Sequence, residues 1–174
     1  MKITNIVMAL LILFFVASCI PVTRAAPIEM TATPLVVPTL AWETYTSQSL
    51  LVALQYPSDW EPDDDEYDSF IGKDGFFRIT ASSIAGLAAK EWCELEIQHN
   101  PDKTGVYRYG ENPAMEILKV DNQPACLILP ESGRGVSLLI VEYPQLEDGP
   151  PRLLFFSADT IHMRDLAETL RFVR

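Results

Sequence analysis

Apolar and polar positions alternate with a period of two in several short stretches of the chain, and this pattern is typical of β-strands. Leu50, Val52, Leu54 and Tyr56 are the clearest example. From this alternation, from apolar runs and from turn residues between them, eight strands are predicted, over 42–46, 50–56, 67–71, 75–81, 114–120, 125–129, 136–143 and 153–157. Residues 138–141 are apolar without alternation, which predicts a central strand covered on both faces.

Two further stretches have apolar residues at helical spacing. The first predicted helix is capped by Ser82 or Ser83, runs to about His99 and is stopped by residues 100–102; its apolar stripe is Ile84, Leu87, Ala88, Trp92 and Leu95. The second is capped by Asp159 or Thr160, with Met163, Leu166, Ala167 and Leu170 as its stripe. Since strands outnumber helices and hairpins connect them, we predict an α+β fold with a single, mainly antiparallel sheet covered by helices.

The N-terminus has the layout of a secretory signal. Lys2 precedes twelve consecutive apolar or small residues, 6–17, a run too short to cross a bilayer, which needs about 20. The run ends in Val16-Ala17-Ser18-Cys19, which resembles the bacterial lipobox. We therefore predict a signal peptide over 1–18, a lipidated Cys19 with a Pro-rich tether over 19–41, and one folded domain over 42–174.

Lipidation of Cys19 would anchor the chain to a membrane, because two or more acyl chains bind a bilayer stably, whereas a single acyl chain binds it only weakly. The expected location is the extracytoplasmic face of the bacterial cell envelope. Plain secretion after cleavage and an uncleaved anchor remain alternatives.

The charge of the chain limits its partners. Removal of residues 1–18 takes away one Lys and no acid, leaving 12 basic and 24 acidic residues and a net charge of −12. Nucleic-acid binding is excluded, since it requires a Lys- and Arg-rich surface. An anionic lipid surface would also repel the folded domain.

No catalytic motif is present in the sequence. His99 and His162 are the two histidines, without a Cys-x-x-Cys pair or a His-Glu-x-x-His motif, so a zinc site of the usual kind is not expected. Residues 133–138 lack the third glycine of a dinucleotide loop and precede a strand. Ser157, Asp159 and His162 lie close together, but capping of a helix explains that spacing.

An acidic segment is the best candidate for an ion site. Seven of the ten residues 59–68 are acidic, and Asp59, Glu61, Asp63, Asp64 and Asp65 are the candidate ligands for Ca²⁺, which prefers clustered oxygen atoms. The segment does not fit an EF-hand loop, because position 6 would be Asp64 instead of Gly. The alternative interpretation is a solvated loop of mutually repelling carboxylates. No other cofactor is expected.

Cys93 and Cys126 remain as an even pair once Cys19 is lipidated, and an oxidising compartment favours a disulfide between them. One feature opposes this prediction: Cys93 lies roughly opposite the predicted apolar stripe of its helix, so it would point away from the sheet. Two reduced cysteines are the alternative.

Several stretches resemble the PsbP-like family. They are Tyr56-Pro57-Ser58-Asp59-Trp60, the acidic hairpin after it, and the closing helix Leu166-Ala167-Glu168-Thr169-Leu170-Arg171-Phe172. Residues 93–130, with Gln98-His99, Tyr109-Gly110 and residues 125–130, are similar to uncharacterised secreted bacterial domains of that type. The resemblance implies an α-β-α sandwich with an accessory or binding role, and it carries over no active-site residue.

We therefore expect a membrane-anchored lipoprotein whose domain binds a protein partner and catalyses nothing. Tyr107, Arg108 and Tyr109 lie in a loop that would suit a contact surface. One alternative is a sensor that binds a cation or small ligand through the acidic segment. The other is an enzyme, such as a hydrolase, with an unrecognised site.

Overall fold

The computed structural model describes residues 41–82, 86–99, 108–144 and 152–173. The helices and strands of these residues are β1 (Trp42–Ser47), β2 (Val52–Pro57), β3 (Glu61–Pro62), β4 (Ser69–Ile71), β5 (Phe76–Ser82), α1 (Ala89–Gln98), β6 (Ala114–Val120), β7 (Gln123–Leu129), β8 (Val136–Glu142), β9 (Leu153–Asp159), α2 (Met163–Thr169) and β10 (Arg171–Phe172). The predicted signal peptide, Cys19, residues 20–40 of the tether, Ser83, Ile84, the helix stop at 100–102 and Tyr107 lie outside the described residues.

The prediction of a single sheet is wrong, because the described strands form two sheets. A three-stranded sheet has the order β1-β2-β10, and a seven-stranded sheet has the order β3-β4-β5-β9-β8-β7-β6. β2 pairs with β1 on one edge and with β10 on the other, so neither of its edges is free to join the larger sheet. The prediction of a mainly antiparallel arrangement is confirmed, since every pairing of the described strands is antiparallel.

β8 is an interior strand of the larger sheet, as its apolar run predicted. Its neighbours are β7 and β9, and residues 137–141 are all buried. Because successive side chains of a strand point to opposite faces, a strand of this composition needs a covering layer on each side. The whole sheet is therefore built around β8 and β9.

Two different layers cover the faces of the larger sheet. On one face, Leu139, Val141 and Phe156 pack with the inward residues of β2 and with α2. On the other, α1 packs over Cys126, Ile128, Leu138, Ile140 and Leu153. The layers are thus α1, the seven-stranded sheet, and then α2 together with the small sheet.

α1 differs from the predicted first helix in its start and in the face it buries. It begins at Ala89, and the backbone N–H of Ala88 donates to the Glu91 carboxylate at 2.9 Å, whereas Ser82 is the last residue of β5. The buried positions of α1 are Ala89 and Cys93, one turn apart. The predicted stripe is therefore correct only in part: Trp92 is half-buried against the apolar cluster under α1, whereas Leu87 precedes the helix and Ala88 is exposed.

The apolar stripe of the last helix is confirmed, since Met163, Leu166, Ala167 and Leu170 are all buried. Asp159 accepts hydrogen bonds from the backbone N–H groups of Ile161 and His162 at 3.0 and 3.1 Å, so it caps the turn that leads into α2. The helix does not extend to Phe172, because Arg171–Phe172 forms β10 and pairs with Ala53 and Val52.

Three turns of the described residues use left-handed backbone at residues other than glycine: at Leu51, at Asp68, and at Asp121 and Asn122. Asp121 and Asn122, with φ of 48° and 64°, form the two-residue turn of the β6–β7 hairpin, a type I′ geometry. Pro124 therefore lies in β7 and not in the turn, opposite Lys119. Leu51, with φ of 54°, ends the β1–β2 connection and is the costlier case, because a bulky side chain disfavours this conformation.

We expect Leu51→Gly to be more stable than Leu51→Ala by about 1 kcal/mol, the reverse of the usual order of these residues. Both variants lose the half-buried leucine side chain. The difference between their free energies of unfolding therefore reports on the backbone conformation at position 51. The free energy of unfolding from urea titrations measures it. Gln48, in the same connection but without positive φ, is the control position, where Ala should be at least as stable as Gly. Equal free energies of unfolding for Leu51→Gly and Leu51→Ala would contradict a left-handed backbone at position 51.

Candidate binding groove

The face of the seven-stranded sheet that carries α1 changes from polar to apolar across the strands. One row of directly paired residues runs Ser69, Arg78, Ser157, Leu138 and Ile128, from β4 to β7. The next row runs Thr80, Phe155, Ile140, Cys126 and Ile117, from β5 to β6. α1 covers the apolar β7–β8 part of this face, so the part over β4, β5 and β9 is left as a groove.

The groove has a volume of about 560 Å³, within the range of about 300–1,000 Å³ of small-ligand sites. Its floor and walls combine apolar side chains with a few polar groups. The lining residues are Asp63, Glu66, Ser69, Ile71, Phe76, Arg78, Thr80, Glu96, Arg108, Tyr109, Val136, Leu138, Phe155 and Ser157. Ile71 is 54% exposed although it is apolar, and it lies at the β4 side of the groove.

Ion pairs lie on both rims of the groove. On the β5 side, a guanidinium nitrogen of Arg78 lies 2.6 Å from a carboxylate oxygen of Glu66. On the α1 side, a guanidinium nitrogen of Arg108 lies 3.8 Å from a carboxylate oxygen of Glu96. The arginine side chains are about half exposed or more, at 47% and 63%. Exposed pairs of this kind contribute little to stability, typically about 0–1 kcal/mol. The rims therefore offer both signs of charge to a bound molecule around an apolar floor.

Tyr109 forms a wall of the groove and is not part of an exposed loop surface as the sequence suggested. Its side chain is fully buried beside Cys93 and Cys126, and burial raises the pKa of its hydroxyl. The Arg108 guanidinium lies 6.0 Å from the centre of the Tyr109 ring. Of the predicted loop surface, Arg108 alone is thus both described and exposed.

The acidic segment, residues 59–68, includes β3 and the connection from β3 to β4. The Asp63 carboxylate accepts a hydrogen bond from the N–H of Asp65 at 3.0 Å, and the Asp63 N–H donates to the carbonyl of Ser69 at 2.9 Å. At its end, the Asp68 carboxylate accepts a hydrogen bond from the Tyr45 hydroxyl of β1. Burial, and then this hydrogen bond, raise the pKa of Tyr45 to about 12.

The predicted calcium ligands are not brought together. Within residues 41–82, 86–99, 108–144 and 152–173, no three His, Cys, Asp or Glu side chains are placed to hold a metal ion. Asp59 precedes β3, Glu61 lies in it, and Asp63, Asp64 and Asp65 follow it. Local hydrogen bonds within the segment contribute to its conformation. The calcium site stays a prediction without support from this geometry.

The predicted disulfide between Cys93 and Cys126 is present. It joins α1 to β7, with 6.4 Å between the two Cα atoms, a separation that disulfides commonly span. The objection from the sequence was wrong because the helix buries Ala89 and Cys93, which places Cys93 against the sheet. Closure of a loop of this length stabilises a domain by roughly 3–4 kcal/mol in the chain-entropy model.

Asp159 and His162 form a structural pair at the start of α2. The His162 Nδ1 atom lies 2.9 Å from the Asp159 carboxylate, and the His162 ring contacts Trp60 edge-on at 5.0 Å. Ser157 lines the groove instead, and within the described residues no hydrogen bond joins it to Asp159 or His162. The three residues are therefore not assembled as a nucleophile, base and acid. His99 lies exposed at the end of α1.

The sequence analysis named four of the groove residues for other reasons, Asp63, Arg108, Tyr109 and Ser157, and missed the rest. The alternation of Phe77 and Ile79 with Arg78 and Thr80 does indicate which face of β5 is less covered. It cannot indicate how far a helix extends over that face. Periodicity shows which side chains share a face of the strand, but not which element packs against that face. The polar Ser157 within the apolar strand β9 was a second local signal of the groove.

Comparison with known proteins finds similarity among solved structures. No protein-family model and no curated protein matches the chain. Among solved structures, the solution structure of cyanobacterial PsbP (CyanoP) from Synechocystis sp. PCC 6803 is similar with a TM-score of 0.47 and 12% identity, over 78% of this chain and 95% of that chain. It carries the family name that the sequence resemblance suggested. Neither helix of the described part is long and apolar enough to cross a membrane.

The stability of the protein should fall between about pH 10 and pH 12 through ionisation of Tyr45. Because the folded state raises the pKa of Tyr45 above the usual value of 10.0, its contribution is complete below pH 10 and is lost as the pH rises toward 12. Urea titrations at pH 9 and pH 11 should show a smaller fall for Tyr45→Phe than for the unchanged protein. Tyr67→Phe is the matched control, since Tyr67 is 96% exposed. An equal fall in the free energy of unfolding of the unchanged protein, Tyr45→Phe and Tyr67→Phe would contradict a raised pKa of Tyr45.

Proposed function

We propose that this chain is an extracytoplasmic lipoprotein of the bacterial cell envelope whose folded domain binds a protein partner in the groove and catalyses no reaction. The observation that carries the proposal is the half-covered sheet face. Phe76, Phe155 and the exposed Ile71 offer apolar contact there, and charged pairs lie on both rims. A site with an apolar centre and a polar rim is the usual arrangement of a protein interface.

The N-terminal sequence supports the location. The apolar run 6–17 followed by Val16-Ala17-Ser18-Cys19 is typical of a lipoprotein signal, and the Pro-rich residues after it would allow the domain to reach away from the bilayer. The net charge of −12 after cleavage disfavours contact with anionic lipids. A disulfide between Cys93 and Cys126 also suits an oxidising compartment.

Replacement of Cys19 tests the anchor. Cys19→Ala should lose the lipid, and the protein should move from the detergent phase to the aqueous phase in a detergent partition. Ser18→Ala is the control, because it keeps a small residue before Cys19 and should remain lipidated. Intact mass gives the second readout: the unchanged protein should lack residues 1–18 and carry acyl mass. A membrane-bound protein without acyl mass would contradict the anchor.

A photo-crosslinking residue at Thr80 tests the groove. Thr80 is exposed and lines the groove, whereas Asp165 is exposed on α2, behind the opposite face of the sheet. In intact cells, the probe at Thr80 should form a discrete protein adduct that the probe at Asp165 does not form.

Two isoleucines provide a matched comparison for this experiment. Ile71 lies in the groove and is 54% exposed, and Ile117 lies in β6 outside it and is 58% exposed. Ile71→Asp should reduce the Thr80 adduct several-fold, and Ile117→Asp should leave it unchanged. The absence of an adduct at Thr80, or an equal loss in both variants, would contradict partner binding in the groove.

A further inference from the structure

The basic side chains that line the groove are already paired with carboxylates. Among the described lining residues these are Arg78, which pairs with Glu66, and Arg108, which pairs with Glu96. Each pair places one positive and one negative charge side by side on its rim. A molecule that enters the groove therefore meets no uncompensated positive charge in the described part of the lining.

Two carboxylates on the β4 side of the groove have no counter-charge of this kind. Asp63 lines the groove, and Glu61 of β3 pairs with Ile71, which also lines it. Because directly paired residues of an antiparallel sheet present their side chains on the same face, the Glu61 side chain lies on the groove face. No Lys or Arg of the described residues comes within ion-pair distance of either carboxylate. This side of the groove is therefore negative.

An apolar surface lies directly beside these carboxylates. Glu61, Ile71 and Phe76 are successive members of one row across β3, β4 and β5. The row covers about 10 Å, because neighbouring strands lie about 5 Å apart. A lysine or arginine side chain combines an aliphatic stem with a charged end, and the stem can lie on apolar surface while the end stays at a polar site. The row offers both surfaces in the order that such a side chain needs.

We propose that the partner in the groove presents a basic segment, with a Lys or Arg side chain over Ile71 and Phe76 and its charged end at Glu61 and Asp63. Apolar side chains of the same segment contact Phe155 on the floor. Charge complementarity favours a basic segment, since an acidic one would meet unpaired carboxylates of like charge. The net charge of the whole chain, −11, acts in the same direction. This inference rests on the proposed function and adds the chemistry of the partner.

Neutralisation of the two carboxylates tests the basic segment, with the photo-crosslinking residue at Thr80 as the readout in intact cells. The variant with Glu61→Gln and Asp63→Asn removes both charges, and the new amide oxygen at position 63 can still accept the hydrogen bond from the Asp65 N–H. The Thr80 adduct should fall by roughly fivefold, as expected for the loss of two exposed ion pairs. A urea titration of the purified variant verifies that the domain is folded.

A matched pair of acidic residues on α2 provides the control. Asp165 and Glu168 are exposed, and α2 lies behind the opposite face of the sheet. The variant with Asp165→Asn and Glu168→Gln changes the net charge by the same amount and should leave the Thr80 adduct unchanged. In isolated envelopes, the adduct of the unchanged protein should weaken toward 1 M salt, where the Debye length falls to about 3 Å.

Mass-spectrometric sequencing of the adduct gives the most direct readout. The cross-linked segment should contain Lys or Arg beside apolar residues, and an acidic segment would overturn the inference. An adduct of equal strength in the unchanged protein and in the Glu61 and Asp63 variant would also overturn it, while partner binding in the groove would stand. An equal loss in the control variant would do the same, because net charge alone would then explain the loss. The absence of any adduct at Thr80 in the unchanged protein would overturn both proposals.

Discussion

The structure depends on the need to cover both faces of β8 and β9. These strands place apolar side chains on each side of the seven-stranded sheet, so water must be excluded from two surfaces at once. The small sheet and α2 together cover one face broadly. On the other face α1 has ten residues, about 15 Å of helix, which is too short to cover seven strands. The groove is the part of the sheet that this helix does not reach.

Charged side chains lie around the part of the sheet that α1 leaves open. The acidic segment lies beside the groove, where Glu66 pairs with Arg78, and its far end is fixed by the hydrogen bond between Tyr45 and Asp68. That bond also links the small sheet to the connection that leads into β4. The segment is thus a rim of the groove with a defined shape, which explains how a strongly acidic stretch can be ordered within the domain.

The sequence predicted the elements that local pattern determines. The hairpin strands, the buried run of β8 and the stripe of α2 were correct because periodicity fixes which side chains share a face. The disulfide was predicted from the number of cysteines. The division into two sheets could not be predicted from the sequence. The alternation at Val52 and Leu54 would be the same whichever strand β2 paired with. The last strand was missed because Arg171 and Phe172 are two residues that pair with a strand more than 100 positions earlier.

The candidate site was harder to predict than the fold. The rotation of α1 depends on a start at Ala89, and a Ser-rich, Ala-rich stretch before it offers several equivalent starts. An error of this kind moves Cys93 from the buried to the exposed side and hides the relation between α1 and the groove. The groove itself is a property of incomplete coverage, which arises only when separate elements meet.

Hydroxyl-radical footprinting of the protein in intact envelopes, compared with the purified protein, tests partner binding in the groove most directly. Oxidation read by mass spectrometry reports the solvent access of each apolar side chain. The account predicts that Ile71, Phe76 and Phe155 are protected several-fold in the envelope, while Tyr67 and Ile117 react equally in both samples. Equal oxidation of the groove residues in the two samples, or protection confined to Tyr67 and Ile117, would contradict it.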